Sequence, residues 1–527
     1  MKVFVFLSLM LCLASGAFAA KPFSNTDSLK NSLGFTPYYS AQNPGRKLKI
    51  AVLDKGFFGY EKEIGRTLPV GTRYVAGPVA NPENLKVVHG LKMAQILISM
   101  MTNDMKATQW MPELTLYNAF GFSNFKAAID DVIARQYDLV LYSEVWEYGG
   151  NFDGGGFINA EVNRATRAGV IWVNAAGNFA LTTYNGPITN GHDNWVQMPD
   201  QNNALALRCQ AAAGKKCPAK IVLSWNDFKD NVEEGTTKDL DLALTDDLLN
   251  VVQSSALKQS DDRNESRPGF SKYPREIISV ELQPGLYFLR VKNRSNNFTQ
   301  RDQLRLTADG EGLVMPSHSR GETLLNPADN PTVITVGASD SDRSSTSFFR
   351  DKPDLLAPSS LKLEDGTEYR GSSNSAAIVA AGLGLLKSRE PRMTRVDLLN
   401  AVSSKHNWEQ RGLSLNLLGF GPTGPNCFLD VSFNPLPVQI RDVVARGGVP
   451  VQTTAAVRVM VPFDPILLNT QLRRNLLNDM IVAMPQGGYA IYPRRALIPA
   501  GAVEIFQRPL EAGLCRPTPV NGKNFHL

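Results

Sequence analysis

Residues 48–54, Leu48-Lys49-Ile50-Ala51-Val52-Leu53-Asp54, form a nearly unbroken apolar run that ends on an aspartate. A short run of this kind, without apolar/polar alternation, fits a strand buried on both faces. Similar runs recur at 115–117, 139–142, 170–173 and 333–336. Between them, apolar residues fall at helical spacing over 91–101, 125–135, 158–168 and 374–387. A further helix is expected from Thr394, where the hydroxyl can cap and Asp397 can answer from the third helical position. Strands alternating with helices predict an α/β unit, a mostly parallel sheet with helices on both faces. Ligands of such sheets sit beyond the carboxyl ends of the strands, which is where Asp54 stands.

Outward from this unit the pattern changes twice. From about 197 to 330 the alternation is replaced by short strand-like pieces at 219–223, 239–244 and 287–291, separated by polar turns. The middle piece alternates strictly and Pro284-Gly285 marks a turn, so 197–330 reads as an all-β domain inserted between the two parts, 48–196 and 331–425, of the α/β unit. Residues 426–527 again read as β-rich, with candidate strands at 451–461, 481–484 and 489–492; a separate small domain and an extension of the body are both open. The stretch 20–47 is polar and punctuated by glycine and proline, as expected of an arm laid on the surface.

Residues 1–19 carry one lysine, an apolar core and the small-residue ending Ala17-Phe18-Ala19, the three zones of a cleavable export signal. The apolar core is too short to span a bilayer, and no integral membrane segment is expected in the mature chain. A secreted or periplasmic location follows. Net charge is +5 with no long basic block, which gives no electrostatic case for a nucleic-acid partner. Beyond the signal the cysteines are Cys209, Cys217, Cys427 and Cys515, an even set that favours disulfides in an oxidising compartment. Three pairings are open; proximity in sequence favours Cys209–Cys217 and Cys427–Cys515. No cysteine or histidine grouping has metal-ligand spacing, so no metal site is expected from them.

Three short segments carry the chemistry. Asp54 closes the first strand and is followed by Lys55-Gly56; alone, it reads as a turn residue. His89-Gly90 stands directly before the helix that runs from Leu91. Gly371-Ser372-Ser373-Asn374-Ser375-Ala376-Ala377 is a glycine turn opening a small-residue helix, whose first amides can stabilise negative charge. Together with Ala175-Ala176-Gly177-Asn178 and the flanks 169–174, 332–338 and 352–358, these pieces resemble the subtilisin-like serine proteases (the subtilases, peptidase family S8).

The resemblance implies a subtilisin-like α/β body. It also implies a serine endopeptidase in which Ser373 is the nucleophile, His89 the base, Asp54 the group that orients the histidine, and Asn178 an oxyanion donor. It implies polypeptide substrates lying as an extended strand beside Ser143, Glu144 and Val145. Glu144, and Glu147 after it, are candidates for selecting basic residues. No cofactor is needed for such chemistry. Family members often hold structural calcium, for which Asp239, Asp241, Asp246 and Asp247 are candidates. A monomer is expected. The stretch 20–47 is too short for the inhibitory folding segment found in many family members, so folding without one is expected. Leu91, Ser372, Asn374-Ser375, Ala377 and Ile378 depart from the family's usual residues. They leave open an alternative: a catalytically silent subtilisin-like protein acting in adhesion or binding through its β domains.

Overall fold

The computed structural model describes residues 22–403, apart from 36–44, 83–85, 103–110, 201–202, 213, 262–266, 320, 348–349, 351 and 364, together with six strands between Phe428 and Gln507. The chain runs through α1 (Thr26–Ser32), β1 (Lys49–Asp54), β2 (Arg73–Val75), α2 (His89–Met101), β3 (Glu113–Asn118), α3 (Gly121–Ala134), β4 (Leu139–Tyr142), α4 (Phe157–Arg167) and β5 (Ile171–Ala175). An all-β excursion follows: β6 (Thr183–Pro187), β7 (Leu205–Cys209), β8 (Cys217–Trp225), β9 (Leu240–Thr245), β10 (Val251–Ser255), β11 (Lys258–Gln259), β12 (Phe270–Ser271), β13 (Arg275–Leu282), β14 (Gly285–Asn293), β15 (Gln303–Asp309) and β16 (Leu313–Val314). The first pattern then resumes with β17 (Ile334–Ala338), β18 (Leu355–Ala357), the small hairpin β19 (Leu361–Lys362) and β20 (Glu368–Tyr369), α5 (Ser372–Arg389) and α6 (Arg395–Ser403).

The main sheet has the order β18-β17-β5-β4-β1-β3-β2, and every neighbouring pair is parallel. Its central strands are largely apolar because both faces are covered, whereas the edge strand β2 is partly exposed. Ile50 and Val52 pack with α2 and α5 on one face, whereas Ala51 and Leu53 pack with α3 and α4 on the other. Helix α5 is buried along nearly its whole length and packs on α2 and on β4, β5, β17 and β18. Its alanines and glycines keep it thin enough to lie there. The chain passes from β3 on one side of β1 to β4 on the other, which puts a topological switch point at the ends of β1 and β4.

The excursion builds two antiparallel sheets, β10-β9-β14-β7-β16 and β13-β8-β15-β6, around a core that includes Trp225, Leu242, Leu289 and Leu306. A disulfide between Cys209 and Cys217 ties β7 of one sheet to β8 of the other. These sheets begin before residue 197, because Thr183–Pro187 pairs with β15. They close at Val314, and by Leu324 and Ala328 the chain packs on Ala176 of the body.

The segment expected as a surface arm behaves differently. Phe23, Leu33 and Phe35, spaced around the short α1, enter the main core, and Lys30 reaches the Thr102 carbonyl. Burying two aromatic rings is worth several kcal/mol, enough to hold a polar segment down. Beyond residue 403 the strands β21 (Phe428–Phe433), β22 (Val449–Gln452), β23 (Val457–Pro462), β24 (Asp479–Ala483), β25 (Tyr489–Pro493) and β26 (Val503–Gln507) form one antiparallel sheet. The export-signal residues 1–19, Cys427 and Cys515 lie outside the described residues. Among the described residues, no helix is long and apolar enough to cross a membrane.

Candidate active site

Five chain segments meet at the carboxyl end of the main sheet. β1 delivers Asp54 in its last position, wholly buried. Its Oδ2 lies 2.7 Å from His89 Nδ1, and its Oδ1 accepts from the Gly56 amide at 3.3 Å. His89 opens α2 and keeps about a quarter of its side chain exposed, so one edge of the ring faces out while the other is held. Gly90 makes this approach feasible: a Cβ there would stand 2.5 Å from Asp54 Cβ and 2.7 Å from the Phe57 ring.

Helix α5 presents Ser373 in its first turn, half-buried, with its hydroxyl donating to the Ser143 carbonyl at 3.0 Å. Asn178, after β5, is exposed, and its Oδ1 accepts from the Ser372 amide at 3.1 Å. In the reverse direction the Ser372 hydroxyl accepts from the Gly177 amide at 3.0 Å. Ser372 thus fastens the start of α5 to the segment that carries Asn178. Gly371 has φ +146°, and a Cβ on it would meet Asn178 Nδ2 at 3.2 Å, so this turn suits glycine.

Ser143, Glu144 and Val145 follow β4 into the same cluster. Ser143 is buried, and Val145 packs against Ala176, Leu324 and Ala328. Glu144 places Oε1 3.6 Å from His89 Nδ1 and Oε2 3.6 Å from Lys55 Nζ. Glu147, expected to face a peptide, is instead buried and paired with Lys220 of β8 at 2.8 Å, which removes it as a selector of basic residues. Ser224 also donates to its carbonyl. Through these bonds the β-sandwich grips the segment that leaves β4.

The electrostatics follow from this packing. Burial disfavours the His89 imidazolium, but the Asp54 carboxylate, the hydrogen bond to it and the Glu144 carboxylate outweigh burial and hold the histidine up at about 9. Burial and the neighbouring Asp54 raise Glu144 above the ordinary carboxylate range, while Lys55 and His89 pull the other way. Lys55 is raised chiefly by Glu144.

Asp54, His89 and Glu144 each bring one possible ligand atom within 4.8 Å of the others. The direct Asp54–His89 bond and the ammonium beside Glu144 suit a cluster that shares a proton better than one that holds a cation. Two of the four aspartates considered for calcium are otherwise engaged, while the buried Asp239 Oδ1 has no hydrogen-bond partner among the described residues. Asp241 pairs with Arg294, and Asp246 accepts from the Leu248 and Asn250 amides of its own turn. Sequence reasoning brought Asp54, His89, Asn178, Ser143 and Ser373 to this one place, but missed Lys55 and the turn of Glu144 toward the histidine. Only the adjacency of Lys55 to Asp54 hinted at the first.

Residues 289–421, which contain Ser373 and α5, match the model of the subtilase family of peptidases; Asp54 and His89 lie outside the matched residues. No curated protein matches the sequence. Among solved structures, the CspB protease of Clostridium perfringens is 16% identical, with 72% of this chain and 94% of that chain covered at a TM-score of 0.46. MycP1 from Mycobacterium smegmatis is 13% identical, with 77% and 83% covered at a TM-score of 0.32. The sequence match runs across the helix that carries Ser373, and that helix packs on the parallel sheet, so this part of the chain is similar to the subtilase family of peptidases.

Proposed function

We propose that this protein is an exported serine endopeptidase that cleaves polypeptides through an acyl-enzyme on Ser373. The observation that carries the reading is the bond between the buried Asp54 carboxylate and His89 Nδ1, 2.7 Å long, with the His89 side chain still partly exposed. A serine hydroxyl is a weak nucleophile, so neutral His89 takes its proton as Ser373 attacks the peptide carbonyl. Asp54 fixes the tautomer and stabilises the imidazolium that forms. The exposed Asn178 amide and the Ser373 main-chain N–H then face the oxyanion. His89 returns the proton to the leaving amine, and water releases the acyl group.

The substrate strand is assigned to the edge at Ser143, Glu144 and Val145. Export rests on the signal-like residues 1–19, and the monomeric state is part of the same reading. The second reading, a silent binding protein, draws on one observation: Ser373 donates to Ser143, and among the described residues no hydrogen bond joins it to His89. A rotation about χ1 of Ser373 between staggered positions frees the hydroxyl. Hydrolysis of unfolded casein by the purified protein separates the two readings. The peptidase reading expects cleavage that Ser373→Ala abolishes and that Asp54→Asn lowers about ten-thousandfold in kcat; cleavage unchanged in both variants contradicts it.

A further inference from the structure

The cluster around His89 holds a second carboxylate that an Asp-His-Ser arrangement does not require. Glu144 stands 3.6 Å from the same ring nitrogen that Asp54 holds, and its other oxygen faces Lys55 at 3.6 Å. Asp54 and Lys55 come from the end of β1, Glu144 from the segment after β4, and His89 from the start of α2. Two carboxylates thus face one ammonium and one imidazole. With the imidazole protonated the four charges balance. With it neutral, Glu144 and Asp54 are left with Lys55 alone, and because the Asp54 carboxylate is wholly buried that imbalance is costly.

A second observation agrees. An imidazolium carries two N–H donors and no acceptor, so a serine hydroxyl has nothing on it to donate to. The Ser373 hydroxyl instead donates to the Ser143 carbonyl, one residue before Glu144. The same short segment therefore neutralises the charged base and receives the idle nucleophile.

We propose that Glu144 is a positioning residue for the base: with Asp54 it keeps His89 as imidazolium in the resting site, parks Ser373 on Ser143, and so makes this an alkaline-active peptidase. This deepens the proposed function and rests on His89 being its base. Activation is loss of the outer His89 proton, on Nε2, to solvent or hydroxide, because the Nδ1 proton is retained by Asp54. The ring then gains its acceptor and Ser373 can rotate to it. The value of about 9 for His89 agrees, and leaves about one site in a hundred ready at pH 7. The other charged or titratable groups around the cluster are Glu147 beside Glu144, Asp309 of β15 toward Lys55, and the Tyr142 and Tyr369 phenols. None of these reaches the His89 ring by hydrogen bond.

The test follows the His89 ring by NMR across pH in the full-length chain with Ser373→Ala, its resonance assigned by loss in His89→Asn, so that no activity is needed. Glu144→Gln and Lys55→Met are compared in that background. Glu144→Gln removes a negative charge and is expected to lower the His89 midpoint by about one pH unit. Lys55→Met removes a positive charge and is expected to raise it. With Ser373 restored, the acid limb of kcat/KM moves with the midpoint, and Glu144→Gln gains about tenfold in kcat/KM at pH 7. Loss of packing alone does not shift the two variants in opposite directions. An unmoved midpoint in Glu144→Gln, or shifts of the same sign, overturns the proposal. If Glu144→Gln does not fold, Lys55→Met decides: a raised midpoint supports it and an unmoved one overturns it. The titration stands whether or not the protein cleaves peptides, so failure of the peptidase reading is told apart by casein hydrolysis.

Discussion

The Ser372 amide donates to Asn178 Oδ1 at 3.1 Å, so the residue just before the proposed nucleophile is fastened to the proposed oxyanion donor. Because the Ser372 hydroxyl also receives the Gly177 amide, the start of α5 is tied twice to the segment that follows β5. Preorganisation of this kind lets a donor act without rearranging as charge develops.

Asn178→Ala is expected to lower kcat by about a hundredfold to a thousandfold with little change in KM, since the amide acts on charge present only in the transition state. Gly371→Ala tests the same coupling from the turn: with φ +146° and Asn178 Nδ2 at 3.2 Å from the new Cβ, Ser373 and Asn178 are pushed apart. A loss near a hundredfold in a folded protein is expected. Unchanged steady-state kinetics in both variants would mean that Asn178 has no part in turnover.

Lys220 of β8 holds the buried Glu147 of the body, so Lys220→Met leaves a carboxylate nearly closed to water without its cation. The lysine side chain is 42% exposed and solvent screens the pair, so the expected loss is about 1 kcal/mol, a few degrees in Tm. In the double variant with Glu147→Gln, part of this loss should return. A strictly additive double-mutant cycle would show that the pair contributes nothing.

Glu276 on β13 lies wholly inside the sandwich, where burial pushes its carboxyl up to about 7 despite hydrogen bonds from Ser255, Gln259 and the Leu257 amide. A carboxyl raised on folding contributes stability that is present below its ordinary 4.5 and lost as pH rises through about 7. Glu276→Gln keeps the acceptor for Leu257 and Gln259 and turns an N–H toward Ser255. It is expected to stabilise the protein at pH 8 by on the order of 2 kcal/mol and to change little at pH 4. Urea melts at the two pH values check this; equal effects at both would contradict it.

The parallel sheet was readable because β1, β3, β4, β5 and β17 are nearly pure apolar runs, a pattern imposed by helices on both faces. The cap of α6 was readable too, since Thr394 and Asp397 bond each other as their spacing implies. Other features left no local trace. Phe23 and Phe35 are isolated aromatics in polar surroundings, and only the core they enter explains them. β6, Thr183-Tyr184-Asn185-Gly186-Pro187, has the composition of a turn and is a strand only because β15 lies beside it. The contact between Glu144 and His89 joins residues far apart in sequence, so no spacing rule could give it. Asp54, His89 and Ser373 were legible for another reason: none stood out alone, and it was the resemblance of their motifs, taken in order, to the subtilisin-like family that singled them out; the structure places them at the end of β1 and the starts of α2 and α5.

The most direct test of the peptidase reading is mass spectrometry of the purified protein after reaction with a fluorophosphonate, beside the Ser373→Ala variant and a known active serine peptidase. Run at pH 9, where about half of the His89 rings are neutral, the reaction should give one adduct per chain, mapped to Ser373 and absent from Ser373→Ala. A folded protein that takes no label while the control is fully modified would contradict the account and leave a silent site.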